Sequence, residues 1–333
     1  MAARSDVAFL SGAVGAPSLA WSGAHPWFSG ARVWSTTNSG TDTWLSVLHT
    51  LGLEAEPMLM GAMCASFEGD QWTQVGVPTA DLWTCHGIAV EELHVWRPLL
   101  SHLVAQLDRG NAVLLDVDVF HLPDMIGSGY LREHAPTVIA VTGYDRHAHE
   151  VRYIHGANGG TIAGRDLDAI LATGGVGGTL LPPHARLVKL DRVMTRTHSE
   201  LGEIGVALAR LHGTRIPAAN PVRAFGEALR EQGSWLAGGD ATHYQRWAYA
   251  TLHQCGAAFE LAGDACRWLA GHGQPVLGAV EPLLAVSRGA RSLHQRLVRV
   301  PQSGRMPDVA QRVDEMAGAW ADAMTILRPI YGA

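Results

Sequence analysis

Three β-rich stretches decide the fold: AVLLDVDVF (Ala112–Phe120), PTVIAVTGYD (Pro136–Asp145) and EVRYIH (Glu150–His155). Apolar residues alternate along the first stretch, as expected of a strand whose two faces differ. Only the short polar segment RHAH separates the second stretch from the third, which predicts a β-hairpin. A fourth strand is predicted at ARLVKL (Ala185–Leu190). The middle of the chain is therefore expected to form an antiparallel sheet.

Helical periodicity surrounds this β-rich region. Thr41–Leu51 and Arg97–Arg109 carry apolar side chains at helical spacing, and each is followed by a glycine, a frequent helix terminator. After residue 190 only helical patterns remain, and the predicted helices are Thr197–His212, Pro221–Gln232, Asp240–Ala270, Val276–Val300 and Asp308–Leu327. Because strands and helices are segregated along the chain, the predicted fold class is α+β. The predicted domains are residues 20–190, which contain the sheet, and an all-helical domain at residues 191–333.

Composition excludes several classes of function. Of the 333 residues, 47% are hydrophobic and 17% are charged, which is typical of a globular protein. The net charge of -6 argues against a nucleic-acid partner, because affinity for phosphate backbones comes from clustered cationic side chains. No apolar run approaches the roughly 20 residues that span a bilayer, and the N-terminal segment is a poor signal peptide. The four cysteines lack metal-binding or disulfide spacing. We therefore expect a cytoplasmic protein with no membrane partner and no metal.

Candidate chemistry begins at the segment TTNSGTD (Thr36–Asp42), directly before the first amphipathic helix. A nucleophilic hydroxyl at a helix N-terminus faces unpaired N–H groups that stabilise an anion, although Ser, Thr and Asn are also preferred N-caps. His134 precedes the second strand, and His155 and Asn158 lie at the end of the third. A nucleophile, a histidine and an asparagine in this chain order are typical of papain-like folds. The alternative is a capping serine and a histidine at a strand edge.

The chain resembles the DUF1839 family. The stretches that carry the resemblance are TNSGTDTWLSVLHTLGLE, FEGDQW, ELHVWRPLLSHLVAQLDRG, DVDVFHLPD, YLREH, YIHGANGG, NPVRAFGEAL, YQRWAYATLHQCGAAFELA and MAGAWADAM. They cover nearly the whole chain apart from roughly the first 20 residues. That family in turn resembles the papain-like domain of the butirosin-type acyltransferases. The resemblance implies transfer of an acyl or aminoacyl group from a carrier-protein thioester, with its phosphopantetheine arm, to an amine or hydroxyl of a small-molecule acceptor in specialised metabolism. It implies no other cofactor.

The resemblance also assigns roles to individual residues. The family's cysteine nucleophile falls on Ser39, its histidine falls on His134, and Asp118 matches an acid shared with the butirosin-type domain. The family's asparagine falls on Gly156, and Asn158 follows two residues later. Both departures bear on catalysis. A serine hydroxyl, unlike a thiol, supplies no anion at neutral pH and needs an aligned base. Gly156 has no side chain with which to orient the histidine.

Three mechanisms therefore stay open at the level of sequence. In the first, Ser39 is acylated with His134 as its base. In the second, His134 deprotonates the acceptor, which attacks the thioester directly, while Ser39 only forms a hydrogen bond. In the third, the site is silent and the protein is a scaffold that binds a carrier protein or a partner enzyme. A thioesterase or amidase that uses water as the acceptor is a further alternative.

Additional residues are candidates for substrate binding. They are Asn38 and Gly40 beside the serine, Gln71 and Trp72 in the segment FEGDQW, Asp116, and His155. Asp116 and Asp118 share one strand face, which could indicate an acid–base pair or metal ligands. The alternative is that one of them caps a turn or pairs with an arginine such as Arg132. The glycine cluster Gly174–Gly178 is interpreted as a mobile connection between the two halves of the chain.

Overall fold

The computed structural model of the chain describes residues 19–28, 30, 32–172 and 183–332. The glycine cluster at 174–178 lies outside the described residues. The chain divides into two compact units. The sheet unit contains described residues of 19–28, 39–55 and 78–195, and the helical unit contains those of 30–38, 56–77 and 196–332.

A six-stranded antiparallel sheet lies at the centre of the sheet unit. In spatial order its strands are β1 (Ala89–Glu92), β6 (Ala185–Lys189), β2 (Ala112–Asp118), β3 (Pro136–Asp145), β4 (Glu150–His155) and β5 (Asn158–Ala163). The four predicted strands are confirmed. The first of them ends at Asp118, because this side chain accepts a hydrogen bond from Phe120 N and caps a 3-10 turn. Strands β1 and β5 were not predicted: β1 has four residues, and β5 begins with Asn-Gly-Gly, which is typical of a turn.

Among the described residues of this unit, four α-helices accompany the sheet: α1 (Ser39–Thr50), α2 (Thr79–His86), α3 (Leu99–Leu107) and α4 (Gly164–Leu171). The predicted helices correspond to α1 and α3. A hydrophobic core joins the inward-facing residues of β2 and β3 to α3 and α4, and it includes Val113, Leu115, Ile139, Val141, Leu103 and Leu167. Helix α1 is attached to β3 and the β4–β5 turn by hydroxyl groups: Thr43 Oγ1 donates to Val138 O and accepts from Gly156 N, at 2.9 and 3.1 Å.

After residue 196 the described chain is helical. The helices are α5 (His198–Gly213), α6 (Pro221–Ala237), α7 (Ala241–Ala248), α8 (Gln254–Gly271), α9 (Val280–Leu297), α10 (Val300–Ser303) and α11 (Ala310–Tyr331). One predicted helix, Asp240–Ala270, is divided by a π-helical turn at Tyr249–His253. Capping residues account for the helix starts: Thr197 forms a capping box with Glu200, and Asn220 caps α6. Among the described helices, none is both long and apolar enough to cross a membrane.

Residues 30–38 belong to the helical unit although they precede the first helix of the sheet unit. The Glu260 carboxylate on α8 is buried and accepts hydrogen bonds from Val33 N and Trp34 N, at 2.8 and 2.9 Å. Arg32 adds an ion pair with Asp264 on the same helix. A buried carboxylate that is fully hydrogen-bonded fixes a segment that has no secondary structure of its own.

Replacing Gly256 by alanine is expected to destabilise the helical unit by about 1–3 kcal/mol. A Cβ atom at this position in α8 would lie 2.0 Å from Nε1 of Trp34, which is buried and cannot move aside easily. Urea denaturation would measure the change in the free energy of unfolding. The control is Gly318→Ala in α11, where no atom lies within 4 Å of the added Cβ. This control is expected to stabilise the protein by up to about 1 kcal/mol. Equal effects of the two substitutions would contradict this packing.

Candidate active site

A cavity of about 500 Å³ opens in the sheet unit where β2 ends. Below it is called the β2 cavity. Its lining combines two carboxylates and two imidazoles with small apolar residues of α4 and the neighbouring loops. The lining residues are Asp116, Val117, Asp118, His121, His134, Ala135, Pro136, Ala169, Ile170, Ala172 and Pro183. Three of the site residues predicted from the sequence, Asp116, Asp118 and His134, therefore share this cavity.

Asp118 and His134 form a hydrogen-bonded pair in the β2 cavity. The Nδ1 atom of His134 donates to Oδ2 of Asp118 at 2.6 Å. The loop between the two residues is closed by a hydrogen bond from Val119 N to Ala135 O, and Asp118 Oδ1 accepts from Phe120 N and Ala135 N. The imidazole stacks on the Phe120 ring, with ring centroids 4.3 Å apart. Backbone and ring contacts thus fix the orientation of both groups.

Hydrogen bonds determine the charge of Asp118. Partial burial alone would raise the pKa of Asp118, but the bonds from His134, Phe120 N and Ala135 N outweigh it and hold the pKa below its usual value. Asp118 is therefore ionised near neutral pH and keeps the proton of His134 on Nδ1. The Nε2 atom makes no hydrogen bond within the described part of the chain, and the His134 side chain is 71% exposed. This arrangement leaves an imidazole nitrogen available to accept a proton.

Asp116 is paired with two basic side chains: Arg186 on β6, and His184, which directly precedes β6. Arg186 NH2 donates to Oδ1 at 2.6 Å, and His184 Nδ1 bonds Oδ2 at 3.0 Å. The bond to Asp116 raises the pKa of His184, and a second bond from its Nε2 to Glu92 adds to the effect. An arginine thus pairs with one of the two aspartates, as predicted, but this arginine is Arg186 and not Arg132. No set of three or more His, Cys, Asp or Glu side chains in the described ranges is arranged to hold a metal ion.

His155 and Asn158 meet at Asp124 rather than at His134. Asp124 accepts from His155 Nδ1 at 2.7 Å, from Tyr153 OH at 2.6 Å and from Asn158 Nδ2 at 3.3 Å. The Thr137 hydroxyl lies 2.8 Å from the other ring nitrogen of His155. The side chains of Asp124 and His155 are 6% and 9% exposed. Burial opposes ionisation of Asp124, but its three hydrogen bonds lower its pKa overall. This network joins the segment at Pro123–Met125 to the sheet.

Ser39 is the first residue of α1 and is half-buried, as is Gly40. Its hydroxyl forms no hydrogen bond with any described residue, His134 included, and Ser39 is not among the residues that line the β2 cavity. Asn38, in the helical unit, donates from Nδ2 to Val75 O at 2.8 Å. The predicted contact of Ser39 with His134 is therefore not formed in this conformation.

Two family models match this chain: the DUF1839 N-terminal domain at residues 23–190 and the DUF1839 C-terminal domain at residues 198–329. The chain belongs to the DUF1839 family. The N-terminal match ends one residue after β6, and the C-terminal match begins at the first residue of α5. The β2 cavity lies within the N-terminal match. No curated protein matches the sequence of this chain.

In this DUF1839 protein, Gly156 adopts a left-handed backbone conformation, with φ of 50°. Glycine and asparagine are the residues that tolerate this conformation most readily. The asparagine that the resemblance implies here is therefore compatible with the turn. A Cβ atom at position 156 would lie 3.7 Å from Cβ of Asp42, which is an ordinary contact. A side chain at this position would thus reach the first turn of α1.

The four thiols do not replace a nucleophilic cysteine in this DUF1839 protein. Burial raises the pKa of Cys64 to about 11 and that of Cys266 to about 12, and it raises the pKa of Cys255 further. Cys85 is fully buried in the sheet unit. A thiol with a raised pKa in an apolar environment supplies almost no thiolate at neutral pH.

Gln71 and Trp72 lie in the helical unit. Trp72 is 1% exposed and its ring packs against Phe225 and Phe259, which is the environment of a core side chain. Gln71 is exposed, and its carbonyl accepts from Glu68 N in a turn closed by a bridge between Phe67 and Trp72. This geometry is that of a structural turn.

Sequence reasoning missed three residues beside the β2 cavity. His121 Nδ1 lies 3.4 Å from Asp166 Oδ1, and Tyr130 OH donates to Asp166 Oδ2 at 2.7 Å. The stretch DVDVFHLPD contains His121 three residues after Asp118, and this proximity could have indicated it. Asp166 lies 45 residues further along the chain on a helix that was not predicted.

Proposed function

We propose that this protein is an acyltransferase in which His134 is the general base. It would move an acyl or aminoacyl group from a carrier-protein thioester to an amine or hydroxyl of a small-molecule acceptor. The observation that carries the proposal is the 2.6 Å pair of His134 with ionised Asp118 in an open cavity. The reaction class follows from the family resemblance. An antiparallel sheet with a leading helix on its strands supports the papain-like interpretation.

The chemical step follows from the available ring nitrogen. An acceptor bound in the β2 cavity gives its proton to His134 Nε2 as its nitrogen or oxygen attacks the thioester carbon. The new C–N or C–O bond forms, the C–S bond breaks with its electron pair going to sulfur, and phosphopantetheine departs as a thiolate. Asp118 stabilises the imidazolium that forms on His134 and keeps the ring in place, without itself taking the proton.

Direct attack by the acceptor agrees better with this geometry than an acyl-serine route. Because the Ser39 hydroxyl forms no hydrogen bond with His134, the base is not aligned to activate it. We expect Ser39→Ala to lower kcat/KM less than about 10-fold, whereas loss of a true nucleophile would lower it by about 10⁴-fold or more. Intact-protein mass spectrometry of the wild type during turnover is expected to show no acyl adduct. An adduct on Ser39 would establish the covalent route.

The test of the function uses S-acyl-N-acetylcysteamine thioesters, which reproduce the reactive end of the phosphopantetheine arm, and then a loaded carrier protein. Thiol release and product mass are followed with and without a panel of amines and alcohols. The expected result is thiol release that depends on the acceptor, with the matching amide or ester as product. Free acid at a rate independent of the acceptor would indicate a thioesterase or amidase. Carrier-protein binding without turnover would indicate a scaffold.

A further inference from the structure

A second imidazole–carboxylate pair lies at the β2 cavity: His121 lines the cavity, and Asp166, which is not part of the lining, contacts His121. Both imidazoles of the cavity contact the Phe120 ring, with centroid separations of 4.3 Å for His134 and 5.1 Å for His121. Both also line the same cavity, so one bound molecule could meet both rings. Two imidazoles in one cavity, each with its own carboxylate, are suited to paired proton transfers.

We propose that His121 is the general acid of this site: it protonates the leaving group while His134 deprotonates the acceptor. This proposal rests on the proposed acyltransferase function and deepens it. It also extends the class of acyl donors. A thiolate leaves without help because thiols are fairly acidic, but an alkoxide does not leave without a proton. A site with a general acid can therefore take oxygen esters as donors in addition to thioesters.

The geometry assigns the two roles. A carboxylate 2.6 Å from His134 strongly stabilises the imidazolium that forms there, which suits a proton acceptor. The partner of His121 is 3.4 Å away, and its second oxygen already accepts from Tyr130 OH at 2.7 Å. This longer contact orients the ring but stabilises a positive charge less, which suits a proton donor. The Nε2 atom of His121 has no hydrogen-bond partner in the ranges that the structure describes.

Helix α4 positions this second pair. Asp166 lies in the first turn of α4, and Ala169 and Ile170 of the same helix line the cavity. Ile170 and Leu167 anchor the helix in the core of the sheet unit. The His121 side chain is 26% exposed, compared with 71% for His134. The proposed proton donor, His121, is thus the more enclosed of the two rings. A leaving group beside it would be shielded from water.

Protons and electrons balance in this step. The acceptor loses a proton to His134 Nε2 as the bond to the acyl carbon forms. The bond from that carbon to the leaving sulfur or oxygen breaks, and its electron pair goes to the leaving atom. His121 enters the step as an imidazolium with Nδ1–H toward Asp166, gives its Nε2 proton to the leaving atom and becomes neutral. After product release, His134 loses its proton to water and His121 regains one from water. No oxidant, reductant or further reactant is required.

A series of acetyl donors with different leaving groups tests this proposal. The donors are phenyl thioacetate, S-acetyl-N-acetylcysteamine and ethyl acetate, each with one fixed amine acceptor. The wild type is compared with His121→Gln, and His147→Gln serves as a matched control because His147 is exposed in the β3–β4 turn. The wild type is expected to use all three donors. The loss of kcat/KM in His121→Gln is expected to be small for phenyl thioacetate and to reach about 10²-fold for ethyl acetate.

Two results would overturn the general-acid role. One is the same fold-loss for every donor in His121→Gln, which a merely structural role predicts. The other is a wild type that turns over phenyl thioacetate but not ethyl acetate. The failure of the proposed function looks different: the wild type would then show no acceptor-dependent turnover of any donor, or His134→Gln would retain full activity with phenyl thioacetate. Asp166→Asn, which keeps the size of the side chain, is expected to show the same dependence on leaving group with a smaller loss. If circular dichroism shows that His121→Gln is unfolded, Asp166→Asn takes its place in the test.

Discussion

Replacing His134 by glutamine is expected to lower kcat/KM for acyl transfer by about 10³-fold. Glutamine has a similar length but cannot accept the proton of the acceptor, so the proposed general base is lost. The side chain is 71% exposed and contributes little to the core, so the fold should persist. The measurement is the rate of thiol release from S-acetyl-N-acetylcysteamine with an amine acceptor, together with a circular dichroism spectrum.

Two further variants make this result specific. His147→Gln removes another exposed histidine of the sheet unit and is expected to leave the rate unchanged. Asp118→Asn keeps the shape of the partner but not its charge, so it no longer stabilises the imidazolium on His134. We expect it to lower kcat/KM by about 10- to 100-fold. Wild-type rates in both His134→Gln and Asp118→Asn would show that the pair is not the base.

Replacing Asp124 by alanine is expected to lower the free energy of unfolding by about 3–5 kcal/mol. The change leaves the hydroxyl of Tyr153 and the Nδ1 atom of His155 without their acceptor in a buried environment. Urea denaturation followed by tryptophan fluorescence measures the loss. Asp168→Ala is the matched control, because the Asp168 side chain is 73% exposed and its Oδ1 atom lies 4.0 Å from Nε2 of His149. This control is expected to change stability by less than about 1 kcal/mol.

The contribution of Asp124 is expected to depend on pH in a defined direction. Its pKa is lower in the folded state than in the unfolded chain, because hydrogen bonds from His155 and Tyr153 outweigh the effect of burial. The stabilisation is therefore complete above the unfolded pKa of about 3.9 and is lost as the pH falls through the folded pKa. The stability difference between the wild type and Asp124→Asn should shrink below about pH 4. A difference that grows with acidification would contradict this network.

Sequence patterns predicted the elements in which side-chain alternation or helical spacing is strong. Strands β3 and β4 were predicted with the bounds that the structure has. Strand β5 was missed because its Asn-Gly-Gly start is a turn signal, and its pairing with β4 is a tertiary effect. The π-helical turn at Tyr249–His253 was missed as well, because the apolar spacing continues through it.

The candidate site was predictable only in part. Asp118 and His134 are 16 residues apart, and motif resemblance was enough to select both. Their pairing depends on the backbone bonds that close the loop between them, which no sequence pattern specifies. Asp166 approaches His121 only because α4 packs against the sheet, so its role depends on the fold. The attachment of residues 33 and 34 to Glu260, more than 220 residues away, is likewise set by tertiary packing.

Chemical rescue of His134→Ala by added imidazole tests most directly whether this ring is the base. Because the native side chain is 71% exposed, a free imidazole can enter the space that the substitution opens. We expect the variant to be nearly inactive. Its rate of acceptor-dependent thiol release should rise in proportion to the imidazole concentration, and more than the rate of the Asp118→Asn, His134→Ala double variant does. A His134→Ala variant that is as active as the wild type, or whose rate imidazole does not change, would contradict this role of His134.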